Sequence, residues 1–148
     1  MCADVAGMNQ QAEELKKRTK KFALDVMAFV RTLPKTDEAR TIGGQLIRAA
    51  TGVASNYRAA CRSRSPVEFV ARIGVPLEEA DESALWLEII TEGKMSTAME
   101  ALRLFDEADQ LSAIFAQSRI TASNNLARVR RSREDRKSAN QSAYLKSI

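Results

Sequence analysis

Apolar residues recur three and four positions apart along four long stretches of the chain, with polar and charged residues filling the gaps, and each stretch predicts an amphipathic helix. In the first, about Gln10 to Leu33, Leu15, Phe22, Val26, Phe29, Val30 and Leu33 fall on one face. Lys16, Lys17, Arg18, Lys20 and Lys21 point elsewhere, and Pro34 stops the helix. The second, about Asp37 to Ser63, has Ile42, Leu46, Ala49, Ala50, Val53, Tyr57 and Ala60 on its apolar side. Many of these are small, which lets a neighbouring helix approach closely. At about 100° per residue, Arg48, Ser55, Arg58 and Arg62 gather within an arc of about 80° on the other side. That stripe meets solvent, or acids on another helix or another subunit.

Ser65, Pro66 and Glu68 give the third helix a serine cap, a proline in its first turn and an early acid. Its pattern runs to about Thr91, with Gly93 just beyond. Phe69, Ile73, Leu77, Ala80, Ala84 and Leu87 make one apolar face, and Val75, Leu85, Trp86 and Ile89 a second. A helix that is apolar on two sides needs two covers, and in a small bundle the second is expected to be another copy of the chain. Gly74 and Pro76 interrupt the pattern, so a kink is expected there. The fourth helix opens on a capping box, Thr97 to Glu100, and continues to about Ala122 with Leu102, Phe105, Ala108, Leu111, Ser112 and Phe115 inward.

The organisation predicted is a flexible lead-in over 1–9, a bundle over 10–122 and a basic tail over 123–148 that is disordered or a frayed helical extension. The fold class is all-α: an antiparallel, up-down-up-down four-helix bundle. With three prolines and six glycines among 148 residues, the chain has too few turn residues for a sandwich or barrel.

Charge sharpens the division. Arg119 to Ile148 holds eight Lys/Arg against Glu134 and Asp135, a net of +6, whereas Met1 to Ser118 holds 15 basic and 17 acidic residues. The basic character therefore belongs to the tail, and Arg128, Arg130, Arg131, Arg133, Arg136 and Lys137 are the candidate nucleic-acid contacts. The start of the chain lacks a basic, apolar export signal, and no run of about 20 apolar residues could span a bilayer, so the expected location is the cytoplasm, with no membrane partner. Cys2 and Cys61 cannot build a disulfide framework, and Cys61 reads as a small buried thiol.

Catalysis finds no footing. There is no histidine, which removes the commonest general base and a common metal ligand. Gly43 and Gly44 belong to no phosphate-binding loop, since the lysine and preceding strand are missing. The acids Glu78, Glu79, Asp81, Glu82 and Glu88 lack the histidines of a di-metal bundle site. Glu78 and Glu82 more simply pair with Arg48, Arg58 or Arg62, within the bundle or across subunits. No enzyme activity, cofactor or metal is expected.

Several blocks are similar to one family: Ile42-Gly-x-Gln-Leu-x-Arg48-Ala, Asn56-Tyr57-Arg58-Ala-Ala-Cys61-Arg62, Phe69, Glu79-Ala-Asp-Glu-Ser83 with Trp86-Leu-Glu88, and Ala113-Ile-Phe115-Ala-x-Ser118. Together they resemble the bacterial four-helix-bundle proteins encoded in intervening sequences of large-subunit ribosomal RNA genes. The resemblance spans about Leu15 to Ala122. It implies a bundle that assembles as a ring, typically a homopentamer, and a distant relation to accessory proteins of diversity-generating retroelements, which engage nucleic acid. The function expected is a non-catalytic oligomeric module that binds RNA or other nucleic acid through its tail. The alternative is a protein-interaction scaffold with a protein partner and no nucleic-acid role.

Overall fold

The computed structural model describes residues 2–147. Met1 and Ile148, the outermost residues of the two flanking segments, lie outside the described residues. Four helices follow one another: α1 (Cys2–Val30), α2 (Asp37–Cys61), α3 (Pro66–Glu92) and α4 (Met99–Ser147). Each packs on its neighbours in sequence and α1 closes on α4, with no close backbone approach between diagonal pairs among the described residues, so the four stand at the corners of a square. Short links force consecutive helices antiparallel. Asp25 meets Arg103 while Arg18 meets Glu107, so α1 and α4 also run in opposite directions.

The helix ends carry their own stop and start signals. The Thr36 hydroxyl accepts from the Ala39 amide at 3.2 Å, and Asp37 and Glu38 occupy the first turn of α2. Ser65 accepts from the Glu68 amide at 3.1 Å, while the Glu68 carboxylate accepts from the Arg64 amide at 2.6 Å. The expected box at the start of α4 does not form. The Ser96 hydroxyl takes the Ala98 amide instead, and Glu100 turns outward to Arg103. At the end of α3 it is Lys94, not Gly93, that adopts the left-handed conformation, with φ 57°. There the Met95 amide reaches back to the Ile90 carbonyl at 3.0 Å. A side chain in that conformation is disfavoured by about 1 kcal/mol, so Lys94→Gly should raise stability by about that amount in urea unfolding.

The core gathers Phe22, Val26, Leu46, Val53, Ile73, Leu87, Ile90, Leu104, Leu111 and Phe115, each 1% exposed or less. The predicted apolar side of α2 is buried from Leu46 to Ala60, with Ile42 half-buried. Close approach of α1 to α2 rests on Gly43, where a Cβ would sit 2.8 Å from Val30 Cγ1. In α4 the expected inward position of Leu102 is overturned: it is 52% exposed, and Ala101 and Leu104 are buried in its place. The buried spacing 104, 108, 111, 115 keeps the 3.6-residue period that Leu102 breaks. Helix α3 passes through Pro76 as one element, with the proline ring and Gly74 both buried.

Both flanking segments are helical here. Helix α1 begins well before Gln10, in a stretch rich in Ala, Gln and Met, all helix formers. Helix α4 continues past Ala122 to Ser147, so of the two tail conformations the sequence allows, the structure takes the extension. From Ala127 onward every described residue of it is exposed. No glycine or proline interrupts it, and the bundle supplies the preformed turn, so extension adds residues without a new nucleation step. Residues 123–147 reach about 38 Å along the axis.

Candidate functional site

The tail cations lie on the exposed part of α4. Arg128, Arg130, Arg131, Arg133, Arg136 and Lys137 are all exposed and, among the described residues, none joins an ion pair. Arg128 makes only a long 3.4 Å hydrogen bond to Asn125 within its own helix. A shallow groove of about 380 Å³ runs over Val129 and Ser132, bounded by Arg128, Arg133 and Arg136. Cations held on a solvated helix, with no internal partner, keep their charge available to an external anion.

The stripe on α2 behaves differently. Arg48 lies 3.8 Å from Glu82 of α3 and also donates to Gln45, and the same Glu82 carboxylate accepts from the Trp86 indole N–H at 3.0 Å. The side chains of Arg48 and Glu82 are 71% and 37% exposed, so within one chain this is a surface pair worth at most about 1 kcal/mol. Arg58, Arg62 and Glu78 form no ion pair among the described residues, and all three are exposed. Beside Glu82, Glu79 is pressed between helices over Gly52, where a Cβ would come within 2.8 Å of the carboxyl carbon. Burial, then repulsion from Glu82, pushes its carboxyl above the usual range, while Arg48 opposes the shift. An acid raised in the folded state loses stability as pH climbs from its unfolded pKa through the folded one. Glu79→Gln should therefore melt higher than the parent at pH 7, with the gap closing below about pH 4 in thermal scans.

Two inter-helix clusters escaped the sequence reading. The Arg18 guanidinium grips Glu107 with two hydrogen bonds, 2.6 and 2.9 Å, and donates to Gln110 at 2.9 Å. Its bond to Glu107 raises its affinity for the proton despite partial burial. One turn and more along, Arg103 bridges Asp25 at 2.9 Å and Glu100 at 2.5 and 2.9 Å, and Lys21 closes on Asp25 at 2.6 Å. The Lys21 hydrogen bond, helped by Arg103, holds the Asp25 carboxyl below its ordinary value. These clusters fasten α1 to α4 and absorb part of the Lys16–Lys21 run.

Past the α2–α3 turn, α1 and α4 run on with nothing between them, leaving a cleft of about 1170 Å³. Leu15, Tyr57, Ala60, Phe69 and Ile114 line its apolar part. Cys61, expected to be buried, is half-exposed there and has a free thiol, because its side of α2 faces the cleft and not the core. Tyr57 is 6% exposed, and its ring stacks on Phe115 with centroids 5.4 Å apart. Burial, with the neighbouring Cys61 thiol, pushes the phenol above its ordinary value.

No cluster of three potential metal-ligating side chains occurs among the described residues, and no helix there is long and apolar enough to cross a membrane. Against known proteins, residues 11–117 match the family described as 23S rRNA-intervening sequence protein. The chain belongs to that family. Its architecture is shared by a crystal structure from Bacteroides thetaiotaomicron, a protein of unknown function from the S23 ribosomal protein family. The two align with a TM-score of 0.63 at 20% identity, over 69% of this chain and 94% of the other. At that identity the likeness speaks for the fold alone. No curated protein matches the chain. Neither the family nor the structural neighbour indicates an enzyme class. The family match ends at Gln117, so the cationic extension of this intervening-sequence protein lies wholly beyond it.

Proposed function

We propose that the chain is a non-catalytic, cytoplasmic, oligomeric module that binds nucleic acid through the cationic extension of α4. The single observation that carries this reading is the set of exposed cations from Arg128 to Lys137, outside any ion pair among the described residues, on a helix that stands clear of the bundle. The body of the chain is net negative, so the bundle itself contributes little attraction to phosphates. Membership in a family named for 23S rRNA-intervening sequences makes RNA the first nucleic acid to try.

Assembly as a homopentamer is part of the proposal. Support comes from the uncovered strip of α3, where Val67, Val75 and Leu85 are 41–54% exposed beside Glu78 and Glu82, with Arg58 and Arg62 of α2 free to meet acids of another copy. Light scattering on a sizing column should give a mass near five times 16.4 kDa. A monomer at micromolar concentration would remove the ring from the reading.

Binding is tested by fluorescence anisotropy with a structured RNA and a DNA duplex at about 50 and about 200 mM salt, between which multiple phosphate contacts make affinity fall by orders of magnitude. If neither binds at the lower salt, the second reading takes over: a protein-interaction scaffold, favoured by the apolar cleft beside Tyr57 and Phe69.

A further inference from the structure

We infer that the extension of α4 presents one acid-free cationic face, shaped to lie in the major groove of duplex DNA and touch both phosphate walls. The inference rests on the reading of the extension as a nucleic-acid contact and adds which nucleic acid and which side of the helix.

Helical geometry sorts charges that the sequence leaves mixed. Setting Arg128 at zero, at about 100° per residue, places Arg136 near 80°, Arg133 near 140°, Lys137 near 180° and Arg130 near 200°. Five cations thus share an arc of about 200° that holds no acid. Glu134 and Asp135 fall in the remaining arc, one on either side of Arg131. The shallow groove lined by Arg128, Val129, Ser132, Arg133 and Arg136 places these five on one side of the helix. Arg131, which composition alone groups with the others, belongs to the opposite face.

The width of the arc decides the ligand. Arg128 and the pair Arg130/Lys137 project from opposite edges of the helix, with Arg136 and Arg133 between them beside Ser132 and Val129. A single strand follows one line and meets one edge. A duplex groove offers two phosphate strands with a floor of base edges between, which matches two cationic edges with Arg136 and Arg133 directed at the base edges between them. The B-form major groove is about 12 Å wide and admits a helix of about that diameter. The A-form major groove of double-stranded RNA is deep and too narrow for this. No aromatic residue lies on the Arg128–Lys137 stretch to stack on unpaired bases, which also argues against a single strand.

The deciding variant exchanges two adjacent charges, Arg133→Glu with Glu134→Arg, so that net charge and composition stay constant while an acid enters the cationic face. The full-length chain and this variant are compared by anisotropy on a DNA duplex of about 20 base pairs, long enough for about two turns of major groove, the matching single strand and an RNA hairpin. Far-UV circular dichroism checks that the helix content is equal. The parent should prefer the duplex DNA to the other two by about tenfold or more. The exchange should weaken duplex binding by about tenfold and flatten the slope of log affinity against log salt by about 1 to 2. Equal duplex binding by parent and variant would show that only total charge matters and would overturn the inference, while leaving the extension as a nucleic-acid contact. A parent that binds the single strand or the RNA as tightly as the duplex overturns it too. Should the parent bind none of the three at low salt, the underlying reading and this one fall together. Ser132→Pro gives a second check: it breaks the helix without changing charge and should lower duplex affinity as the exchange does.

Discussion

Phe115→Ala is expected to lower the unfolding free energy by about 3–5 kcal/mol, the range for removing a buried aromatic ring. The ring has no exposed surface and stacks on Tyr57 across the diagonal of the bundle, tying α4 to α2, whose backbones do not approach closely. Its removal leaves Tyr57 without a partner beneath the apolar cleft, so the void opens close to an entrance for water. Against a total stability of about 5–15 kcal/mol for a domain of this size, the loss is large enough to populate the unfolded chain. Urea denaturation should show a lower midpoint with an unchanged slope. Leu102→Ala is the matched comparison on the same helix. Leu102 is 52% exposed, and its truncation should cost no more than about 0.5 kcal/mol. A larger loss for Leu102 than for Phe115 would mean that α4 is rotated relative to the arrangement described.

That pair of substitutions marks where the sequence was legible and where it was not. Periodicity reports burial, and it is clearest where one face is buried along its whole length. In α2 the sequence-derived stripe from Leu46 to Ala60 coincides with the buried residues. Near the start of α4, Leu102, Leu104 and Phe105 are all apolar within one turn, and two registers fit the local pattern equally well. Packing against α3 and α1 selects Leu104, and the pattern could not know it. The tail is ambiguous for the opposite reason. Nothing covers it, so no apolar period is written into it, and composition cannot separate a coil from a helix that the bundle has already nucleated. Ion pairs between elements were legible only across the short α2–α3 link, where Arg48 and Glu82 face each other. The Arg18–Glu107 clasp joins residues 89 positions apart, a separation at which a charged sequence offers many equivalent partners.

Deleting Leu126 to Ile148 is expected to reduce nucleic-acid affinity by about two to four orders of magnitude at low salt. Among the described residues of that segment only Leu126 is half-buried and the others are exposed, so the core from Phe22 to Phe115 stays intact. The truncated chain should keep the melting behaviour and the oligomeric state of the parent, and its fall in ellipticity should match the helix removed. The deletion takes away seven basic and two acidic residues, Arg128 to Lys146, and what remains is net negative. Each phosphate left unneutralised takes about 0.9 from the slope of log affinity against log salt, so the salt dependence should nearly vanish together with the affinity. The combination matters more than either number, because misfolding would lower affinity too but would also change the melt and the assembly. Suppose the truncated chain binds RNA and DNA as the parent does, with the same salt slope. Then the binding surface is the arginine stripe of α2 or the Lys16–Lys21 face of α1, where Lys17 and Lys20 remain outside any ion pair among the described residues. Charge reversal at those two lysines in the truncated background would then abolish what remains, and the extension of α4 would have no part in recognition.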